Sequence, residues 1–276
     1  MPELPEVESV LRCLRDEKTS LIGRAILTAT ALSDTVVSDI SGAEFAANVA
    51  GYRFSEVSRH GKYLIFTLVS STGNNEKRYL AVHLRMTGRL YLVNQDEAIQ
   101  RHTRLVLLLD AGVALRFDDP RKFGRVWLVT APDQVTGTLG PDALTMSIQV
   151  FAERFSRHRR QLKPLLLDQS FVAGIGNIYA DEILFRAGIH PLTHSNSLSE
   201  QDINRLHGKV IEVLIEAVAV GGANIDGVFK EGGFVVQVYG RADLPCLVCG
   251  SIIEKIRVGQ RGTHYCPECQ PSEVHT

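Results

Sequence analysis

The chain has 276 residues, 45% of them hydrophobic and 22% charged, with a formal net charge of -1 at pH 7. That length suits two domains better than one core, and the near-average composition excludes a disordered or fibrous chain. No apolar run is long enough to cross a bilayer, and the N-terminus MPELPEVESV is acidic where a secretory signal is basic, so the protein is expected in the cytosol, away from membranes.

In chain order, residues 5–18 carry Val7, Val10, Leu11 and Leu14 at helical spacing, with Pro5 suited to a first turn. Cys13 stands alone in this pattern and is expected to pack as a small buried hydrophobe. From about residue 21 to 130 the pattern becomes short apolar runs: 24–32, 63–69, 79–84, 90–93, 105–109 and 126–129. Turn residues punctuate them, as at 72–75 and 110–112, which predicts a β-sandwich or barrel and disfavours a doubly wound sheet. The Pro-, Gly- and Asp-rich stretch near 133–147 is expected to link a first domain, 2–132, to a helical one, 148–236. Helices are predicted at 151–167, 178–187 and 199–220, the last with Ser199 and Asp202 as a capping box.

Residues 237–276 are expected to form a zinc module. Cys246 and Cys249 form one CxxC pair, Cys266 and Cys269 another, and this spacing matches a four-thiolate ribbon holding one structural Zn2+. Disulfides are disfavoured in a cytosolic chain. No solenoid-period repeat and no low-complexity tract is present.

The near-neutral charge does not suggest nucleic acid, whose compact binders are usually basic. Basic residues are nevertheless grouped: Arg154, Arg157, Arg159, Arg160 and Lys163, then Lys255, Arg257 and Arg261. Such a group serves phosphate contact or forms a solvated helix face.

Several residues have a chemical reading beside a structural one. Removal of Met1 leaves Pro2 with a secondary amine, and an α-amino group is far less basic than lysine, so it is nucleophilic near neutral pH. Glu3 and Glu6, one turn apart beside it, supply acid and base groups, or serve as helix-start residues. Gly174-Ile175-Gly176-Asn177 precedes a helix and forms a phosphate seat or an ordinary Asn cap. Asp118-Asp119-Pro120-Arg121-Lys122-Phe123-Gly124 is a turn from which Phe123 wedges between bases and Arg121 bonds a base edge, or in which the Phe is buried. Met86 is a second wedge or core filler, and Lys62 reaches phosphate or snorkels.

Taken together, PELPEVE at the start, HGKYL at 60–64, HLRMTGRL at 83–90, DPRKFG at 119–124, LGPDAL at 139–144, GIGNIYADE at 174–182 and QRGTHYCPECQ at 260–270 resemble the formamidopyrimidine-DNA glycosylases over nearly the whole chain. The resemblance implies an α+β multidomain protein: a β-sandwich with an N-terminal catalytic helix, a helix-two-turn-helix domain, and a zinc-finger hairpin. It implies a monomer acting on damaged double-stranded DNA held between the domains, removing oxidised purines and then cleaving the strand by β,δ-elimination as a glycosylase and lyase. By that likeness Pro2 forms a Schiff base with the sugar C1′ of an extruded nucleotide and Glu3, with Glu6 nearby, serves as acid. Lys62 and Arg261 resemble proton donors for β- and δ-elimination. Asn177 resembles a phosphate ligand, His102 a DNA contact and Lys163 a lysine near the lesion, while Met86, Arg121 and Phe123 resemble the residues that fill the vacated space.

One departure concerns the segment between Ile225 and Val238, DGVFKEGGFVVQ, which is short where the family commonly carries a longer loop over extruded 8-oxoguanine. Weaker discrimination for 8-oxoguanine than for formamidopyrimidines follows. The alternatives are an endonuclease VIII-type enzyme for oxidised pyrimidines, against which Leu4 speaks, and a non-catalytic lesion-binding zinc protein, against which Pro2, Glu3 and Lys62 speak.

Overall fold

The computed structural model describes residues 2–16, 20–71, 76–225 and 232–272. The expected turn at 72–75 and the first half of the short segment after Ile225, residues 226–231, lie outside them. Two compact units emerge, one comprising Met1–Thr138 and the other Leu139–Asn224 with Glu231–Thr276. Among the described residues no helix is long and apolar enough to cross a membrane.

In the first unit, helix α1 (Leu4–Arg15) buries Leu4, Val7, Val10, Leu11 and Leu14, the stripe that a 3.6-residue period places on one face. Cys13 falls off that stripe, beside Arg12, and is exposed, which corrects the expectation of a buried thiol. The strands are β1 (Ile26–Ala31), β2 (Tyr52–His60), β3 (Tyr63–Ser70), β4 (Lys77–His83), β5 (Arg89–Asn94), β6 (Thr103–Leu109), β7 (Val113–Asp118) and β8 (Arg125–Val129). They form two four-stranded antiparallel sheets, ordered β1-β6-β7-β5 and β2-β3-β4-β8. Phe45, Phe54, Phe66, Leu80, Leu107 and Phe117 belong to one core with the apolar face of α1. The short helix α2 (Gly42–Val49), capped by Ser41 accepting from the Glu44 N–H, adds Phe45 and Val49 to it.

Phe117 has a further consequence at the end of β7. A Cβ on Gly124 would stand 2.3 Å from its Cζ, and one on Gly88 would stand 2.9 Å from the same atom. Both glycines are therefore required by close approach to one ring. They end the two turns that carry Met86 and Phe123.

The second unit holds α4 (Ile148–Ser156), α5 (Leu162–Leu167), α6 (Asn177–Ala187) and α7 (Glu200–Ala219), with the hairpin β9 (Glu254–Val258) and β10 (Arg261–Tyr265). The helix predicted over 151–167 is two helices. Carried unbroken through Pro164, it would bring the pyrrolidine ring against the Arg160 carbonyl, whereas in the first turn of α5 the missing N–H costs nothing. The capping box of α7 is present, with Ser199 and Asp202 exchanging backbone-to-side-chain bonds of 3.0 and 3.2 Å. The stretch expected as a linker contains a short helix, α3 (Asp133–Thr136), and beyond it Gly140 and Ala143 donate to the carbonyls of Gln169 and Ala173.

Candidate active site and metal centre

The first turn of α1 brings two of the expected acids together. Glu3 and Glu6, 1% and 2% exposed, form a reciprocal capping box in which the Glu3 N–H donates to Glu6 Oε2 at 2.8 Å. Pro2, immediately before, is buried. On the same helix Glu8 pairs with Arg59 at 2.9 Å, and Arg59 also donates to the Gly61 carbonyl at 2.9 Å. Gly61, at φ 55, and Lys62 form the two-residue turn between β2 and β3, so this chain of bonds fixes the Lys62 turn to the catalytic candidate helix. Lys62 is 7% exposed. Its charge is felt by His83, whose imidazole burial holds down to about 3, with Arg85 and Lys62 adding to the effect. The neutral ring accepts the Arg85 N–H on Nδ1 at 2.9 Å and meets Tyr63 edge-on at 4.6 Å.

Met86 and Phe123 occupy two neighbouring turns of this unit. Each follows a non-glycine residue in the left-handed region, Arg85 at φ 56 and Lys122 at φ 57. Phe123 is 48% exposed, and the Arg121 guanidinium lies 4.8 Å from its ring centroid, so the buried-Phe reading fails. Beneath them Asp119 is 1% exposed: Oδ2 accepts the Gly124 N–H at 2.7 Å, and Oδ1 accepts the Arg121 N–H at 3.2 Å and the Thr87 hydroxyl. His102 is exposed, and its carbonyl accepts the Asp119 N–H at 2.9 Å.

In the second unit a polar network surrounds the start of α6. Lys163 is completely buried, 2.6 Å from Asp181 Oδ1, and donates to the Gly262 carbonyl at 2.9 Å and to Thr263 Oγ1 at 2.7 Å. Its ammonium is thus held by groups of its own unit. Asp181 Oδ2 accepts the His264 N–H at 2.9 Å, and Asn177 Nδ2 donates to the Gly262 carbonyl at 3.1 Å. Asn177 does not cap α6; Gly176 occupies that position. Gly259 and Gln260, at φ 52 and 68, make the tight turn between β9 and β10, and Arg261 follows it on the exposed side. Glu182, buried beside Asp181, accepts the N–H groups of Gln237, Val238 and Tyr239, each at 2.9 Å. Burial nevertheless pushes its carboxyl above the ordinary range. Sequence reasoning missed Glu8, Arg59, Asp119, Asp181 and Glu182, all side chains that hold other groups.

The four cysteines converge. Their Sγ atoms lie within 4.8 Å of one another, with Cys246–Cys269 at 3.9 Å and Cys249–Cys266 at 3.4 Å. A tetrahedral zinc with Zn–S bonds of about 2.3 Å has sulfur–sulfur edges of about 3.8 Å. The N–H groups of Val248 and Cys269 point to Cys246 and Cys266 sulfurs at 3.4 Å, as suits thiolate ligands. The set fits one structural zinc ion.

Family models match almost the whole chain: the formamidopyrimidine-DNA glycosylase N-terminal domain over residues 1–126, the H2TH domain of the same glycosylases over 139–228, and the zinc finger found in FPG and IleRS over 243–271. The formamidopyrimidine-DNA glycosylase of Rippkaea orientalis is 44% identical, aligned over 98% of this chain and 100% of its own length. That of Synechocystis sp. is 40% identical, over 98% and 99%. Among solved structures, MutM in complex with carbocyclic 8-oxo-G containing DNA superposes with a TM-score of 0.87 at 35% identity, covering 98% of this chain and 100% of that one. Lactococcus lactis Fpg with Fapy-dG containing DNA gives 0.86 at 35%, with the same coverage.

Two measurements follow from the geometry. Metal analysis is expected to find one zinc per chain, and Cys266→Ser to lose it together with protection of residues 246–270 from protease; a zinc-free, equally protected wild type would contradict the site. The depressed His83 pKa means that the unfolded chain binds a proton that the folded chain refuses between pH 6.5 and about 3. Its contribution is complete above pH 6.5 and is lost as pH falls through that window, by about 1.4 kcal/mol per pH unit. Between wild type and His83→Gln the difference in unfolding free energy should be constant above pH 6.5, and below it the wild type should lose stability faster down to pH 4; parallel curves would refute the assignment.

Proposed function

The chain belongs to the formamidopyrimidine-DNA glycosylase family, and from that premise we propose that it excises oxidised purines by means of a Schiff base on Pro2. It is a base-excision repair enzyme, a DNA-formamidopyrimidine glycosylase with the abasic-site lyase activity characteristic of the family. Its partner is damaged double-stranded DNA, on which it acts as a monomer, and DNA binding places it at the nucleoid.

The observation that carries the proline reading is the fixed neighbourhood of α1 and the Lys62 turn. Buried acids flank the chain start, and the Glu8–Arg59–Gly61 bonds hold a lysine-bearing turn to the same helix. With Met1 removed, the Pro2 nitrogen lone pair forms a bond to C1′ as the bond from C1′ to the base breaks. The base leaves carrying the bonding electrons and takes up a proton. Loss of the amine proton, then opening of the sugar as Glu3 protonates O4′, leaves an iminium ion between the Pro2 nitrogen and C1′, which acidifies the C2′ hydrogens. Lys62 is read as donor in β-elimination and Arg261 in δ-elimination.

The remaining assignments rest on exposure and chemistry. Met86, Arg121 and Phe123 are assigned to the space vacated by the extruded nucleotide, where an apolar wedge and a guanidinium replace a base and its pairing. His102 is assigned to the DNA backbone. Asn177 is assigned to phosphate, since an amide nitrogen carries two N–H groups and Gly262 takes one. Lys163 is assigned an indirect part, holding Gly262 and Thr263 on either side of which Arg261 and His264 are presented. We read residues 2–132 as the catalytic domain, 133–147 as its connection, 148–236 as the duplex-gripping domain and 237–276 as the zinc module.

Borohydride trapping on duplex DNA bearing a formamidopyrimidine or 8-oxoguanine tests the chemistry. Protein shown by mass spectrometry to lack Met1 should form a covalent adduct and nick the strand, and Pro2→Gly should lose the adduct. Processed wild type that neither traps nor nicks either duplex would defeat the reading. The sequence after Ile225 is short where the family commonly carries a longer loop, so parallel single-turnover assays should show faster excision of formamidopyrimidines than of 8-oxoguanine. A marked preference for 8-oxoguanine would reject that part.

A further inference from the structure

Three groups assigned to the DNA sit on separate pieces of backbone in the first unit: Met86 in the turn after β4, Arg121 and Phe123 in the turn after β7, and His102 before β6. Their relative placement depends on what joins these pieces. The joining group is one carboxylate. Asp119 Oδ2 receives the Gly124 N–H at 2.7 Å, closing the Arg121–Phe123 turn on itself. Oδ1 receives the Arg121 N–H at 3.2 Å and, across the gap between turns, the Thr87 hydroxyl. Thr87 Oγ1 in turn lies 3.4 Å from the Arg121 N–H. The backbone of the same residue serves the third piece: its N–H bonds the His102 carbonyl at 2.9 Å, and its carbonyl takes Arg104 Nε at 2.8 Å.

Asp119 is 1% exposed, so these donors replace the water that an ionised carboxylate requires. Phe117, against which Gly88 and Gly124 close, supplies contact without direction, whereas the carboxylate fixes a distance. Two residues flank the arrangement in left-handed backbone, Arg85 and Lys122. Such turns hold their shape when surrounding bonds over-determine them.

We propose that Asp119, acting through Thr87, is a positioning residue that sets the separation between the Met86 turn and the Arg121–Phe123 turn, and so governs extrusion of the damaged nucleotide and choice among the bases opposite it. The proposal rests on the functional reading above. Asp119 and Thr87 take no part in bond making; they determine whether a wedge and a base-edge donor arrive together at the vacated space. Misplacement by a fraction of an ångström weakens excision of a base that must be pulled from the stack. It matters less for an abasic nucleotide, which has no base to extrude.

The test compares methionine-processed wild type, Thr87→Val, Thr87→Ser and Asp119→Asn, each full length. Single-turnover rates are measured on 8-oxoguanine opposite each of the four bases and on a preformed abasic site, normalised to the fraction trapped by borohydride on abasic DNA. Thr87→Val and Asp119→Asn should lose roughly tenfold or more on 8-oxoguanine opposite the preferred base. The spread among opposite bases should narrow, cleavage at the abasic site should change little, and Thr87→Ser, which keeps the hydroxyl, should match wild type. Equal losses on both substrates, an unchanged spread, or Thr87→Ser as impaired as Thr87→Val would overturn the role. Wild type that fails to trap on either DNA overturns the functional reading and this proposal with it; wild type that traps while the variants behave like it overturns this proposal alone.

Discussion

A carboxylate withdrawn from water must find donors, and in this chain the donors it finds are the backbone N–H groups and side chains of the turns on which chemistry is placed. Glu6 holds the Glu3 N–H, Asp119 those of Arg121 and Gly124, Asp181 that of His264, and Glu182 three successive ones. Desolvating an ion costs several kcal/mol, so such groups are weak sources of stability. What they supply is a fixed direction. Removing one partner of the Lys163–Asp181 pair would leave a bare charge in a fully buried site, at a cost of about 3–5 kcal/mol. The zinc hairpin is thus tied to α6 both through its backbone and through Lys163.

Legibility in the sequence followed period and composition. The amphipathic stripe of α1, six of the eight sandwich strands, the box at Ser199 and the paired CxxC spacing all leave local signals. Strand β2 was illegible because a register shift between Phe54 and Glu56 interrupts its alternation. Strand β7 hid because Arg116, 2% exposed, breaks its apolar run; its two terminal guanidinium nitrogens donate to the carbonyls of Ala98 and Glu97, which no local pattern reveals. The catalytic candidates were legible as motif residues. Their supports were not, since a buried Asp119 or Asp181 reads like any surface acid until the fold brings distant N–H groups to it.

The near-zero net charge is resolved by the same kind of pairing. Arg157 pairs with Glu153, Arg160 with Asp168 at 2.6 Å, and Arg154 donates to the carbonyls of Ser170 and Phe171. Much of the basic cluster at 154–160 is therefore engaged by partners on the second unit's own surface, closer to the solvated-face reading than to a phosphate track. Exposed cations also stand at the turns, Arg121 and Lys122 after β7 and Arg261 after the β9–β10 turn. Phosphate and base contact depends on the local field and on geometry, so a chain of net charge -1 can present a cationic surface where it is needed.

Apolar packing and polar anchoring divide the work by their directionality. Burial of Phe117, Leu107 and Phe66 is favourable in any orientation that excludes water, so a core of this kind specifies that two sheets meet and leaves the tips of their turns free to settle at several separations. A hydrogen bond weakens steeply with angle and distance, so each bond to Asp119 selects one separation among those the core allows. The side chains that meet the duplex need that selection more than the sandwich does. An exposed wedge such as Phe123 gains nothing from the core, and its position is transmitted entirely by the turn beneath it.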